Sequence, residues 1–136
     1  DVFRGYDAIV SNPPYFVGSL KNPDMKRTLA RHADTLPFRQ LAHHASRLLS
    51  DDGLFSVILP ADVQGEFESE ALICGLSKVY DIRIKTKPNK IVKRCMMTFS
   101  HQVSSVVNVE EVCMADAENQ RSSWYGELTK EFYLYP

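Results

Sequence analysis

With 136 residues and a net charge of −1, the chain is long enough for one domain with a real core, and its overall charge selects no partner. No run approaches the roughly 18 apolar residues that a membrane-spanning helix needs, and the first residues lack a signal-peptide pattern. Cys74, Cys95 and Cys113 are odd in number and widely spaced. That fits buried thiols in a reducing, cytoplasmic compartment better than a disulfide scaffold, and no close Cys/His cluster calls for zinc.

Asp1 to Tyr6 is a polar lead-in containing Gly5, and Ala8 to Val10 then reads as a short buried strand. Asn12-Pro13-Pro14 stops it, because prolines cannot join a ladder and Pro13 biases Asn12 toward extended geometry. The product is a stiff turn at a strand's C-terminal end, the place where open α/β sheets bind ligands. Two readings of that turn are open. The Asn12 side-chain carbonyl and the Pro13 backbone carbonyl are adjacent acceptors suited to an exocyclic amine, and Tyr15 offers a flat face for a base. Alternatively, Asn-Pro-Pro is an ordinary turn and Tyr15 a core or rim aromatic.

Phe16 to Thr28 lacks a helical period and reads as a loop over the strand end. Lys21, Lys26, Arg27, Arg31 and His32 are available there for phosphate contacts, which position a nucleic acid without reading it. His32 reads equally as a partly buried hydrogen-bonding residue, and no neighbouring acid orients it as a base. Asp34 or Thr35 can cap a helix with Pro37 in its first turn. Leu41, Ala45, Leu48 and Leu49 form that helix's inward stripe, with an end at Asp51-Asp52-Gly53. The pair His43-His44 lies on it with rings pointing apart, which argues against a metal site.

Leu54 to Leu59 is the next strand, apolar enough to be covered on both faces, and completes a βαβ crossover. Asp62 can cap a second helix through Phe67, Ala71, Leu72 and Gly75-Leu76, with Glu66, Glu68 and Glu70 on a solvated face. Val79 to Thr86 reads as a strand, residues 85–90 as a basic turn, and Val92 to Phe99 as an antiparallel return with Met96-Met97 in the core. Val106 to Val109 is a weaker strand candidate. The tail is polar until Trp124-Tyr125 and Phe132-Tyr133-Leu134-Tyr135, which a short strand or helix could dock on the sheet.

The near-neutral total hides a pattern. Val17 to Arg47 holds six Lys or Arg against two acids, and Lys78 to Arg94 seven against one. Asp51 to Glu70 holds six acids and no base, and Glu110 to Glu131 six acids against two bases. Two basic patches on an acidic surface form a footprint for a polyanion, or else are solvated faces clustered by accident.

Ser11-Asn12-Pro13-Pro14-Tyr15 resembles the Asn-Pro-Pro-Tyr motif of S-adenosylmethionine-dependent amino-group methyltransferases. Together with Ser19-Leu20-Lys21-Asn22, Ala30-Arg31-His32, Leu59-Pro60, Lys87-Pro88 and Lys93-Arg94, the chain to about Ser100 resembles the bacterial tRNA1(Val) adenine-N6-methyltransferases. The resemblance implies an α/β fold: the C-terminal half of a Rossmann-like class I methyltransferase, with a mostly parallel sheet and an antiparallel last strand. It implies S-adenosylmethionine as cofactor, tRNA as partner, and methylation of an adenine beside the anticodon. Asn12, Pro13, Pro14 and Tyr15 become the catalytic turn (11–16), and Asn12 also an edge of the cofactor pocket. Residues 17–33 become a substrate loop, Lys87, Lys90, Lys93 and Arg94 the basic part of a sheet and hairpin (78–100), and 101–136 an acidic, aromatic tail.

No Gly-rich strand-to-helix loop and no ribose-binding acid occur in this sequence, where Gly5, Gly18, Gly53, Gly65 and Gly75 are isolated. The expectation is therefore a part of a longer enzyme, inactive alone, whose first strand is left as a hydrophobic edge open to self-association. The alternatives are another DNA, RNA or protein amino-group methyltransferase, a non-catalytic RNA-binding module, and a purely structural or dimerising domain.

Overall fold

The described residues build one five-stranded sheet, and two helices cover one side of it. A computed structural model describes Phe3, residues 5–14 and residues 37–132. The elements are β1 (Tyr6–Ser11), helix α1 (residues 37–48), β2 (Leu49–Pro60), a 3-10 turn (Ala61–Val63), α2 (Gln64–Ile73), β3 (Ser77–Lys85), β4 (Arg94–Ser100), β5 (Asn108–Cys113) and α3 (Ser123–Thr129). The strands lie in the order β1-β2-β4-β3-β5. β1 is parallel to β2, β4 antiparallel to both β2 and β3, and β5 parallel to β3. β4 is the antiparallel return expected at 92–99, and it slots between β2 and β3. The weaker candidate at 106–109 becomes β5, one strand further out.

Helix α1 ends earlier than its sequence implies, because Asp51-Asp52-Gly53 belongs to β2. The pairing slips from Tyr6↔Leu49 to Ala8↔Leu54, so the extra residues bulge. Two glycines make the bulge possible. At Gly53 a Cβ would lie 2.6 Å from the Tyr6 carbonyl oxygen, and at Gly5 (φ +98°) 2.6 Å from the Ser50 nitrogen.

The core lies on one face of the sheet. Phe55, Val57 and Leu59 of β2 and Cys95, Met97 and Phe99 of β4 are buried against Phe38, Ala42 and Ala45 of α1 and Phe67 and Ala71 of α2. Phe67 is the centre: its ring lies 5.5 Å from Phe38 and 5.7 Å from Phe99. Truncating such a ring to Ala typically costs about 3–5 kcal/mol. Among the described residues the opposite face is only partly covered. Leu54 is 43% exposed, and Ser56 and Thr98 pair across it by a 2.8 Å hydroxyl hydrogen bond. Among the described residues the apolar run of β2 thus has one face covered. β1, read as a buried strand, is an edge, as expected of a first strand left without a neighbour: among the described residues it is paired only by β2, and Val10 is 77% exposed.

Asp62 is no helix cap. It sits exposed in the 3-10 turn, and α2 begins after Val63 without a side-chain cap. The far end of α2 closes by backbone: Gly75 (φ +81°) turns the chain so that Leu76 N–H donates to the Ala71 carbonyl and Gly75 N–H to that of Leu72. Leu72 is exposed rather than inward. Glu70 is buried, not solvated, and Arg39 of α1 grips it with Nε and Nη2 at 3.2 and 3.3 Å. At the C-terminal end, Ser122 caps α3 by accepting from Tyr125 N–H. Trp124 and Tyr125 are half-buried there, while Phe132 is exposed.

Candidate functional site

Because β1, β2, β3 and β5 run in one direction, their C-terminal ends share one rim with the start of β4. The Asn12-Pro13-Pro14 turn opens at that rim, just after the last β1–β2 pair, Ser11↔Val57. Among the described residues β2 continues to Pro60 paired only with β4. Asn12 and Pro14 are exposed and Pro13 half-buried. β4 lies two strand spacings from β1, about 10 Å across the sheet.

The cations of Lys78 to Arg94 divide into two sets that charge counting cannot separate. Lys78 Nζ contacts Glu68 at 3.0 Å and the buried Asp81 at 3.2 Å. Burial alone would lower the Lys78 pKa, but the hydrogen bonds to Glu68 and Asp81 outweigh it and hold it above the ordinary lysine value. Gln64 Nε2 donates to Asp81 Oδ2 at 2.6 Å, and Arg83 Nη1 donates to Gln64 Oε1 at 2.8 Å. Lys85 pairs with Glu111 at 2.7 Å, and that hydrogen bond raises its pKa. Those three cations fasten β3 to its neighbours. Lys87, Lys90, Lys93 and Arg94 are exposed, and among the described residues no ion pair neutralises them. They lie on the rim, in the β3–β4 connection and at the first residue of β4.

Beside them is a groove of about 360 Å³, lined by Pro60, Ala61, Asp62, Ile91, Val92, Lys93 and Arg94. Ala61 N–H donates to the Lys93 carbonyl at 2.8 Å, and Lys93 N–H to that of Ile84 at 3.2 Å. These bonds hold the groove's two walls to the sheet. Val92 therefore precedes β4 rather than belonging to it, and the groove went unread in the sequence. The signal for it was Ile91-Val92, an apolar pair between Lys90 and Lys93, with Ile91 77% exposed.

Tyr15, Lys21, Lys26, Arg27, Arg31 and His32 lie outside the described residues, as do Asp34, Thr35 and the aromatics from Tyr133 onward. Among the described residues no group of His, Cys, Asp and Glu is placed to hold a metal, and no helix is long and apolar enough to cross a membrane. All three cysteines are free thiols, and burial pushes Cys95 up to about 11. Asn12 is exposed and directly follows β1, the first strand in the sheet order.

The chain is 43% identical over 129 residues to a tRNA1(Val) (adenine(37)-N6)-methyltransferase of Phocaeicola vulgatus, covering 95% of this chain and 55% of that protein. It is 38% identical over 130 residues to the Bacteroides thetaiotaomicron protein of the same description, covering 96% of this chain and 54% of that one. A solved structure, a predicted O-methyltransferase from Agrobacterium tumefaciens, superposes with a TM-score of 0.62 at 16% identity, over 97% of this chain and 54% of the other. That likeness shows a Rossmann-like mixed α/β methyltransferase fold. No family model matches. The chain spans about half the length of the curated relatives it matches. Over the stretch it spans, the chain is similar to tRNA1(Val) (adenine(37)-N6)-methyltransferases of several bacteria.

Proposed function

We propose that this chain carries the catalytic turn of an enzyme that methylates the exocyclic N6 amine of an adenine beside the anticodon of tRNA1(Val). The observation behind this reading is the exposed Asn12-Pro13-Pro14 turn, on the same rim as the unpaired Lys87, Lys90, Lys93 and Arg94. The division of labour is the one the sequence implies: the turn at 11–16, a substrate loop at 17–33, sheet and basic hairpin at 78–100, and the tail at 101–136. The reading carries a cytoplasmic place of action with it.

An adenine in a single-stranded loop is turned out of its stack and enters the rim over Pro14, stacking on Tyr15. The Asn12 side-chain carbonyl and the Pro13 carbonyl accept the two N6 hydrogens, which fixes the direction of the nitrogen lone pair. S-adenosylmethionine, when bound, supplies an electrophilic methyl on a sulfonium. Asn12, at the edge of its pocket, and Pro13 stabilise the positive charge that grows on N6, and both oxygens are oriented before it appears. No protein nucleophile is needed, since the methylated amine is acidic enough to release its proton to solvent. Lys21, Lys26, Arg27, Arg31 and His32, with the rim cations, hold phosphates.

The test is methyl transfer from labelled S-adenosylmethionine to unmodified tRNA1(Val), comparing this chain with a protein of the relatives' full length. Transfer by the long form only, abolished by Asn12→Ala, is the expected result. Near-normal turnover in the Asn12→Ala long form would overturn the mechanism. Transfer to DNA or a peptide but not to tRNA would overturn the substrate.

A further inference from the structure

Four exposed cations, of which Lys93 and Arg94 line an apolar groove, answer two different parts of a nucleotide. Pro60, Ile91 and Val92 give the groove an apolar surface, and the main chain of Ala61 and Lys93 is already hydrogen-bonded, so it makes few demands on what lies there. Its volume is at the low end of the roughly 300–1,000 Å³ range of small-molecule sites. Lys93 and Arg94 line one side, and the exposed Asp62 carboxylate is the groove's only acidic group among its lining residues. The opposite charges are matched to a group with a negative phosphate at one end and N–H donors at the other.

We infer that this groove holds the base of a nucleotide next to the target adenine in single-stranded RNA, with its phosphate on Lys93 and Arg94. The inference rests on the proposed function and deepens it by naming a second subsite. The base lies against Pro60, Ile91 and Val92, as unstacked bases do on apolar surfaces. Asp62 accepts from an N–H on the base edge and repels phosphate, so the strand enters in one orientation. The spacing agrees: the Asn12 turn and the start of β4 are about 10 Å apart, two strands across the sheet. A target extracted at Asn12 leaves its neighbour splayed within reach of the groove. Positioning by a flanking base also explains how a rim of backbone-binding cations selects one adenine among many.

The experiment uses full-length protein and a stem-loop RNA whose loop contains the target adenine. An abasic residue replaces, in turn, the nucleotide on each side of it. Binding is read by fluorescence anisotropy and methyl transfer by label incorporation. The expected result is that one abasic position weakens wild-type binding about tenfold, and that Ile91→Ser weakens binding of the intact loop and erases the difference between intact and abasic loops. Ile91 is mostly exposed, so its replacement leaves the fold in place. Asp62→Ala is expected to flatten the base preference at that same position. Equal binding of abasic and intact loops by wild type would overturn the inference. So would an abasic penalty that persists undiminished in Ile91→Ser, because the base would then be held elsewhere. Methylation of the intact loop without any abasic penalty defeats the groove and spares the methyltransferase reading. Abasic-sensitive binding without methylation does the reverse.

Discussion

Two sets of cations, close together in sequence, meet opposite fates. Lys78, Arg83 and Lys85 sit along β3, where Glu68, Asp81, Gln64 and Glu111 take up their charge. Lys87, Lys90, Lys93 and Arg94 follow within a few residues and meet no carboxylate partner among the described residues. The first set is partly desolvated and holds strands and helix together. The second remains hydrated and keeps its full field for a partner. Counting Lys and Arg overstates the electrostatic footprint; what counts is which cations the fold leaves unspent.

That contrast can be broken at several points, beginning on the rim. Asn12→Ala in the full-length protein should lower kcat by about 100-fold or more, the scale of losing one preorganised polar contact to a transition-state charge. Its thermal unfolding should be unchanged, since Asn12 is exposed and follows the last ladder pair. At β3 the opposite is expected. Asp81→Ala leaves Gln64 Nε2 without its acceptor and Lys78 with Glu68 alone, in a half-buried setting, and should cost about 2 kcal/mol of stability, read by urea denaturation. RNA affinity per folded molecule should not change.

Removing charge on the rim gives a third, smaller effect. Lys93→Gln with Arg94→Gln should reduce the slope of log affinity against log salt by about 1.4, two contacts at ~0.7 each for a single strand, without changing the urea midpoint. The same double change at Lys78 and Lys85 should do the reverse. The smallest effect is one of pH. In the unfolded chain the Cys95 thiol ionises near its ordinary value, whereas folded Cys95 holds its proton to about 11 because it is buried. Between about pH 9 and 11 the unfolded state therefore binds fewer protons, and stability falls as pH rises. The raised Lys78 and Lys85 act in the same direction, their pairing being lost once they deprotonate. Denaturation midpoints at pH 8 and pH 10.5 check this, and Cys95→Ala should flatten the thiol part.

The sequence by itself determined the parallel pair around α1, the antiparallel return near residue 95 and the Asn-Pro-Pro stop. Each rests on a local rule: continuous apolar runs, turn residues, and a proline's missing N–H. It also determined that Asn12 would be displayed, because a strand halted by two prolines has nowhere to bury the next polar side chain. Tertiary structure decided the rest. Glu70 reads as solvated on a helical wheel and becomes buried only because Arg39 arrives from α1, 31 positions earlier. Asp81 looks like a break in the pattern of β3 until Gln64 of α2 meets it. Gly53 looks like a helix stop, yet the close approach of the Tyr6 carbonyl makes it part of a strand. The groove is built from residues of two separate segments, 60–62 and 91–94, joined by the β2–β4 ladder and by the hydrogen bond from Ala61 N–H to the Lys93 carbonyl. Burial and pairing are properties of contacts between distant segments, and a local pattern carries no record of which segments will meet.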